Sequence, residues 1–225
     1  MTLARPRAIL SWSSGKDSAH SLHVLRQQGE VEVVALLTTV NQAFARVAMH
    51  AVREPLLEMQ AESAGLPLWK VPIPYPCPND VYESAMAEAM RRAVEEGITH
   101  VAFGDLFLAE IRAYREERLA GTGMQPIFPL WLRDTHELAR EMIASGLRAT
   151  VVCIDPKQLA KDFARRAFDE TMLAELPASV DPCGENGEFH TFAWDGPVFQ
   201  WPIRTRPGQV VERDGFVFAD VAWSR

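Results

Sequence analysis

Ala8-Ile9-Leu10-Ser11-Trp12-Ser13-Ser14-Gly15-Lys16-Asp17-Ser18 is the stretch that decides the fold. Ala8–Ser11 is an apolar strand that breaks into small hydroxyl residues and a glycine, after which a helix opens. A strand that turns through such a loop into a helix is a phosphate site. The first amides of the helix, aided by its dipole, face an anion that Gly15 lets approach. Ser13, Ser14 and Ser18 add hydroxyl donors and Lys16 a positive charge. The stretch is not a Walker A loop, which would need Gly in place of Leu10 and Ser or Thr in place of Asp17. A plainer reading is a Ser/Gly turn whose Ser13 or Asp17 caps the helix. The joint order of strand, loop, Lys, Asp and Ser favours phosphate.

The residues that follow read as alternating strands and helices. The first helix spans about Asp17 to Gln28 and stops at Gly29, a residue suited to the left-handed C′ position. Val31–Val40 is a β-branched and Leu run, expected of a strand buried on both faces. A helix through Leu56–Ala61 has Pro55 in its first turn and Gly65 at its end. Leu68–Ile73 is a short strand. Asp80 and Glu83 form a capping box for a helix reaching Gly97, and Thr99–Phe103 is a further buried strand ending at Gly104-Asp105. This alternation predicts a parallel sheet with right-handed crossovers and a ligand beyond the carboxyl ends of its strands.

Beyond Gly121 the texture changes. Thr122–Leu132 is an irregular Gly/Pro segment. Asp134 and Glu137 cap a helix to Gly146, Ala149–Ile154 is a strand, and Asp155-Pro156 opens another helix. Val198–Pro202, Gln209–Glu212 and Phe216–Val221 read as β segments, the last two joined through Asp214-Gly215. The expected division is a nucleotide-binding unit over 1–125 and a smaller α+β unit over 126–225.

The bulk properties narrow the function classes. The 225 residues carry a formal net charge of -7 at pH 7, which argues against a broad basic footprint for nucleic acid. Three cysteines (Cys77, Cys153 and Cys183) form no CxxC pair, so they offer no zinc site and suit a reducing compartment. Cys153 sits in an apolar run and reads as a core residue. No stretch approaches a membrane span, and Met1–Arg7 lacks the apolar region of a signal peptide. The expected location is the cytoplasm.

Two further constellations carry polar chemistry. Gly104-Asp105 is followed by Arg112, Arg115 and Arg118, which fall every third residue and can converge on an anion, or can lace a solvated helix side with Glu110, Glu116 and Glu117. Asp105, at the end of a central strand, is well placed to hold Mg²⁺ on ATP phosphates. In Asp181-Pro182-Cys183-Gly184-Glu185-Asn186-Gly187-Glu188-Phe189-His190-Thr191-Phe192, two glycines frame two carboxylates. That pattern serves a ligand loop with a general base and a polar surface turn equally.

The loop Ser13–Ser18 resembles the pyrophosphate loop, S-G-G-x-D-S, of enzymes that split ATP between its α and β phosphates. Taken with Gly104-Asp105 and with Gly184–Phe192, of the type G-E-x-G-E-[FY]-x-T, it resembles the diphthine–ammonia ligase family, also called diphthamide synthases, over essentially the whole chain. Ser14 stands where the loop pattern has Gly, and His190 where many members carry Glu. The resemblance implies a Rossmann-like α/β fold of the adenine nucleotide α-hydrolase-like (PP-loop/HUP) type with a smaller C-terminal α+β domain. It also implies that ATP activates a carboxylate as the acyl-adenylate, and that ammonia then displaces AMP. Under it, Ser11, Ser13, Ser14, Gly15, Lys16, Asp17, Ser18, Gly104 and Asp105 bind ATP, with Asp17 and Asp105 holding Mg²⁺. Lys16, Asp17, Glu185 and Glu188 are the catalytic candidates. Arg112, Arg115, His50, Glu185, Glu188, His190 and Thr191 face the acceptor, His50 lying in the family-like stretch Val47-Ala48-Met49-His50.

The family's acceptor is diphthine on elongation factor 2. The Ala- and Arg-rich usage points to a bacterial member, for which another carboxylate is expected. The implied partners are a small-molecule nucleotide, a carboxylate acceptor and ammonia, with a homodimer as an option and neither membrane nor nucleic acid. The competing readings are a tRNA-modifying enzyme with the same loop, and an ATP or AMP sensor without turnover.

Overall fold

A computed structural model describes residues 4–43, 46–47 and 52–224. His50 lies outside the described residues. The chain runs β1 (Arg7–Ser11), α1 (Lys16–Gln28), β2 (Glu32–Asn41), β3 (Arg46–Val47), α2 (Glu54–Ala64), β4 (Leu68–Ile73), α3 (Asn79–Glu95), β5 (His100–Ala102) and α4 (Ala109–Leu119). It continues as β6 (Gln125–Ile127), α5 (Thr135–Ala144), β7 (Arg148–Ile154), α6 (Glu170–Glu175), β8 (Phe189–Asp195), β9 (Thr205–Arg213) and β10 (Phe216–Trp223).

In the first sheet β1 lies between β2 and β5, β2 pairs onward with β4 and β5 with β6, all parallel. The short β3 pairs antiparallel with the end of β2. Strand order therefore reverses at β1 and β5, and the crevice beyond their carboxyl ends is where an open α/β sheet binds its ligand. Successive residues serve opposite faces. Ile9, Ala35, Leu37 and Val101 pack on the side of α3, while Leu10, Leu36 and Ala102 join the core beneath α1 and α2. Burial on both faces explains the unbroken apolar runs. The fold class is thus the α/β class expected from the sequence.

The second sheet is antiparallel, ordered β8-β7-β10-β9. Its Val151, Ile154, Phe192 and Val217 belong to the same apolar cluster as Leu10, Leu22 and Leu57. The β9–β10 hairpin turns through Asp214 and Gly215 at φ 53° and 85°, as its Asp-Gly signal requires. Asp134 caps α5 by accepting a hydrogen bond from the Glu137 amide. Among the described residues no helix is long and apolar enough to cross a membrane.

Four local expectations are corrected. Pro78, not Asp80, precedes α3, with no side-chain cap, and the side chain of Asn79 bonds Glu83 instead. Asp155-Pro156 opens a turn rather than a helix, and the next helical residues are the short 3₁₀ turn Lys161–Phe163. The Asp155 carboxylate accepts from the Lys157 amide and the Gln158 side chain, closing a turn that competes with helix formation. Thr122–Leu132 is not wholly irregular, since β6 within it pairs with β5. Val198–Pro202 forms no strand. Phe189–Asp195 does, because Phe189, Phe192 and Ala193 are fully buried in the core.

Candidate active site

The turn between β1 and α1 adopts the conformation that its sequence makes costly. Ser14 has φ 70° and is fully buried, in the left-handed region that a glycine enters freely. The Ser14 hydroxyl has no partner among the described residues. Its carbonyl is held from two sides, by the Ala193 amide at 2.9 Å and by Gln60 Nε2 at 3.0 Å. Gln60, fully buried on α2, also accepts from Trp12 Nε1 at 2.9 Å. One amide side chain thus fixes both ends of the loop.

The local-cap reading of Ser13 or Asp17 does not hold. The residue before α1 is Gly15, without a side-chain cap, and Ser13 Oγ accepts from the Gly15 amide instead. The first amide of α1, that of Lys16, donates to Thr191 Oγ1 of β8 at 3.1 Å. Helix geometry leaves the Asp17 and Ser18 amides without intrahelical acceptors, and both residues line a cavity of about 510 Å³. Gly104 presses against the same turn. A Cβ there would stand 3.3 Å from the Asp17 carbonyl carbon and 3.4 Å from the Ser18 nitrogen. These donors, at a helix N-terminus beside a dense backbone approach, fit an anionic phosphate chain.

The cavity gathers residues from distant parts of the chain. Ser11, Ser13, Asp17 and Ser18 come from the loop, Gly104, Asp105 and Arg115 from the β5–α4 region, and Glu185, His190 and Thr191 from the glycine-framed segment. Leu37, Thr38 and Thr39 at the end of β2, and Tyr82 and Met86 of α3, complete the wall. The β2 residues were recoverable in principle, since they end a strand next to the switch point. The α3 residues have no local signature, because only packing brings that helix to the rim.

Several expected residues lie elsewhere. Lys16 does not line the cavity. Its side chain is 2% exposed, and its ammonium donates to both oxygens of Asp17, at 3.0 and 2.9 Å, and to the carbonyl of Cys183. The rings of Phe168 and Phe189 lie 5.5 and 5.3 Å from it. Burial alone would lower its pKa, but Asp17, Cys183 and Glu185 together outweigh burial, so the pKa is raised and the lysine stays charged. Ser14 and Gly15 stand behind the wall as well, and Arg112 turns away to Glu116 and lies over Phe128 and Trp131. The three arginines do not converge, because Arg115 reaches Asp105 and Arg118 reaches Glu83.

The structure separates the two carboxylates of the glycine-framed loop. Glu188 is 1% exposed, and its Oε1 accepts from the Asp181 amide and from Asn186 Nδ2 at 2.9 and 3.0 Å. It knits the loop from within. Gly184 makes that fold feasible, since a Cβ there, at φ 69°, would lie 2.7 Å from the Phe189 carbonyl oxygen. Glu185 faces the cavity, its Oε1 accepting from the Leu106 amide at 2.7 Å. Burial pushes its carboxyl up to about 7, helped by Asp17 and Asp105 and opposed by the Leu106 amide and Lys16. A carboxyl titrating near neutrality can exchange a proton with a bound reactant.

Asp17 and Asp105 line the same cavity, paired with Lys16 and Arg115 respectively. Among the described residues no group of three His, Cys, Asp or Glu side chains could hold a metal ion. Two carboxylates beside a phosphate site nevertheless match the way Mg²⁺ binds, through one or two protein oxygens plus the phosphates.

Residues 6–125 match the diphthamide synthase N-terminal domain and residues 134–217 the diphthamide synthase C-terminal domain. The diphthine–ammonia ligases of Mus musculus and Homo sapiens are each 29% identical to the chain, over 95% of it and 88% of their own length. That of Schizosaccharomyces pombe is 26% identical over 89% of the chain and 36% of its own length. With the N-terminal domain alone matching more than half of its residues, the chain belongs to the diphthamide synthase family.

Proposed function

We propose that this chain, an ATP-dependent carbon–nitrogen ligase by its family, adenylates a carboxylate and then transfers ammonia to it. The observation that carries this reading is the placement of Glu185 in one cavity with Asp17 and Ser18 of the β1–α1 turn, where burial pushes its carboxyl up to about 7. In the first step a carboxylate oxygen of the acceptor attacks the α phosphorus of ATP, and pyrophosphate leaves. The Asp17 and Ser18 amides, with the hydroxyls of Ser13 and Ser18, bind the departing pyrophosphate. Asp17 and Asp105 would hold Mg²⁺, which would supply charge neutralisation on the phosphates.

In the second step the nitrogen of ammonia attacks the acyl carbon and AMP leaves. Ionised Glu185 takes the proton that the nitrogen must lose. Lys16 acts from behind the wall: it holds Asp17 by its carboxylate and the glycine-framed loop by the Cys183 carbonyl. His190 and Thr191 form the acceptor side of the wall. We place the reaction in the cytoplasm, where the three free cysteines remain reduced.

The test is product analysis with Mg-ATP, ammonium chloride, and either diphthine-bearing elongation factor 2 or a panel of small carboxylates. AMP and pyrophosphate are expected, formed only with an acceptor that gains an amide. ADP and phosphate would refute cleavage between the α and β phosphates. No nucleotide cleavage with any acceptor would leave a nucleotide-binding protein without turnover.

A further inference from the structure

A second concavity, of about 640 Å³, runs between α3 and α4 over a floor formed by Val101 and Phe103. Met90 and Val94 of α3 and Leu119 of α4 give it an apolar course. It adjoins the candidate active site, and Tyr82, Met86, Phe103 and Arg115 line both spaces. Adenylation brings together two organic substrates, ATP and the acceptor carboxylate, and a cavity of about 510 Å³ suits one small ligand. The loop amides and the β2 end already define a place for the nucleotide. The second substrate needs space next to the nucleotide, and the adjoining α3–α4 groove offers it.

Arg115 stands at the join and, among the described residues, is the one basic side chain common to both walls. Its Nε donates to Asp105 Oδ2 at 3.2 Å, and its guanidinium lies 4.6 Å over the Phe103 ring. Its remaining four N–H donors have no acceptor among the described residues, and a guanidinium fork with open donors matches a carboxylate. We propose that the α3–α4 groove is the acceptor channel, taking a carboxylate on an apolar arm whose carboxylate is handed to Arg115 at the edge of the nucleotide cavity. This rests on the ligase reading, and names the route and chemical class of its second substrate.

The test uses hexanoate as probe, titrated into the ¹⁵N-labelled full chain saturated with AMP, with hexanol as the uncharged control. Amide shifts are expected at Val94, Leu119 and Thr122 with hexanoate, and roughly tenfold weaker binding of hexanol. Ala87→Trp, at an exposed groove position, should abolish the hexanoate shifts while AMP affinity is retained. Arg115→Met should bring hexanoate down to the affinity of hexanol. Hexanoate shifts confined to residues 11–18 and 37–39 would overturn the channel. So would a dimer, seen by sedimentation velocity, that Ala87→Trp converts to monomer. Turnover assays separate this proposal from the ligase reading. If wild-type chain releases pyrophosphate and Ala87→Trp leaves the acceptor KM unchanged, the channel fails alone. If hexanoate binds the groove as described but no acceptor is turned over, the ligase reading fails and the groove stands as a carboxylate site.

Discussion

Replacing Glu185 by Gln should make the protein more stable at pH 8 and inactive. In the folded chain the carboxyl holds its proton to about 7, against an ordinary value of 4.5. Between those two values the unfolded state has released a proton that the folded state keeps. Stability therefore falls as pH rises from about 4.5 to 7, and is flat above. At 1.36 kcal/mol per tenfold change in proton affinity, the upper limit of this cost at pH 8 is roughly 3 kcal/mol. Solvent around a half-buried carboxyl screens the interaction, which leaves about 1–2 kcal/mol. Gln has the same shape, and its side-chain oxygen still accepts from the Leu106 amide, so the cost vanishes without loss of that bond. Urea unfolding followed by tryptophan fluorescence should show Glu185→Gln more stable than wild type at pH 8 and equal to it at pH 4.5. The same ionisation sets the activity, so wild-type kcat should rise with pH through about 7 and the variant should show no such limb. A variant less stable than wild type at pH 8 would refute the reasoning, because the ionised carboxylate would then be net stabilising through the Leu106 amide and the Phe107 amide, which donates to the same oxygen at 3.4 Å.

Ser14→Gly should raise the melting temperature by about 2–4 °C in scanning calorimetry. Relief of the left-handed strain and removal of an orphan hydroxyl together exceed the added unfolded-state entropy by about 1 kcal/mol. Lys16→Met keeps the packing between Phe168 and Phe189 but leaves Asp17 and the Cys183 carbonyl unpaired, so it should destabilise by about 2–4 kcal/mol in urea titrations. Its ATP Kd, by calorimetry, should shift less than about threefold, whereas a loss above about tenfold would show that Lys16 reaches the phosphates. Gln60→Leu orphans Trp12 Nε1 in the core and leaves the Ser14 carbonyl with the Ala193 amide alone, so it should cost about 1–3 kcal/mol, with denaturant unfolding as the check.

The sequence by itself determined what depends on neighbours along the chain. Ala8–Ser18 announced strand, anion-binding turn and helix because those elements follow from local polarity period and backbone freedom. The alternating strands to Phe103 announced the parallel sheet for the same reason, and Asp214-Gly215 its hairpin. Where short-range cues competed with burial, burial prevailed. The glycine-framed segment ends in β8 because Phe189, Phe192 and Ala193 enter the core, and β6 forms because β5 offers an edge.

The roles within the site were a tertiary matter. Lys16 and Asp17 are adjacent in sequence, yet Asp17 faces the cavity while Lys16 is drawn behind it by a carbonyl 167 residues away. Glu185 and Glu188 read alike as loop carboxylates. Only packing leaves one facing the cavity, its pKa raised by desolvation, and spends the other on the amides of its own loop. Charge and residue type can be read from a sequence, but the direction a side chain takes depends on which distant groups lie within about 3 Å of it.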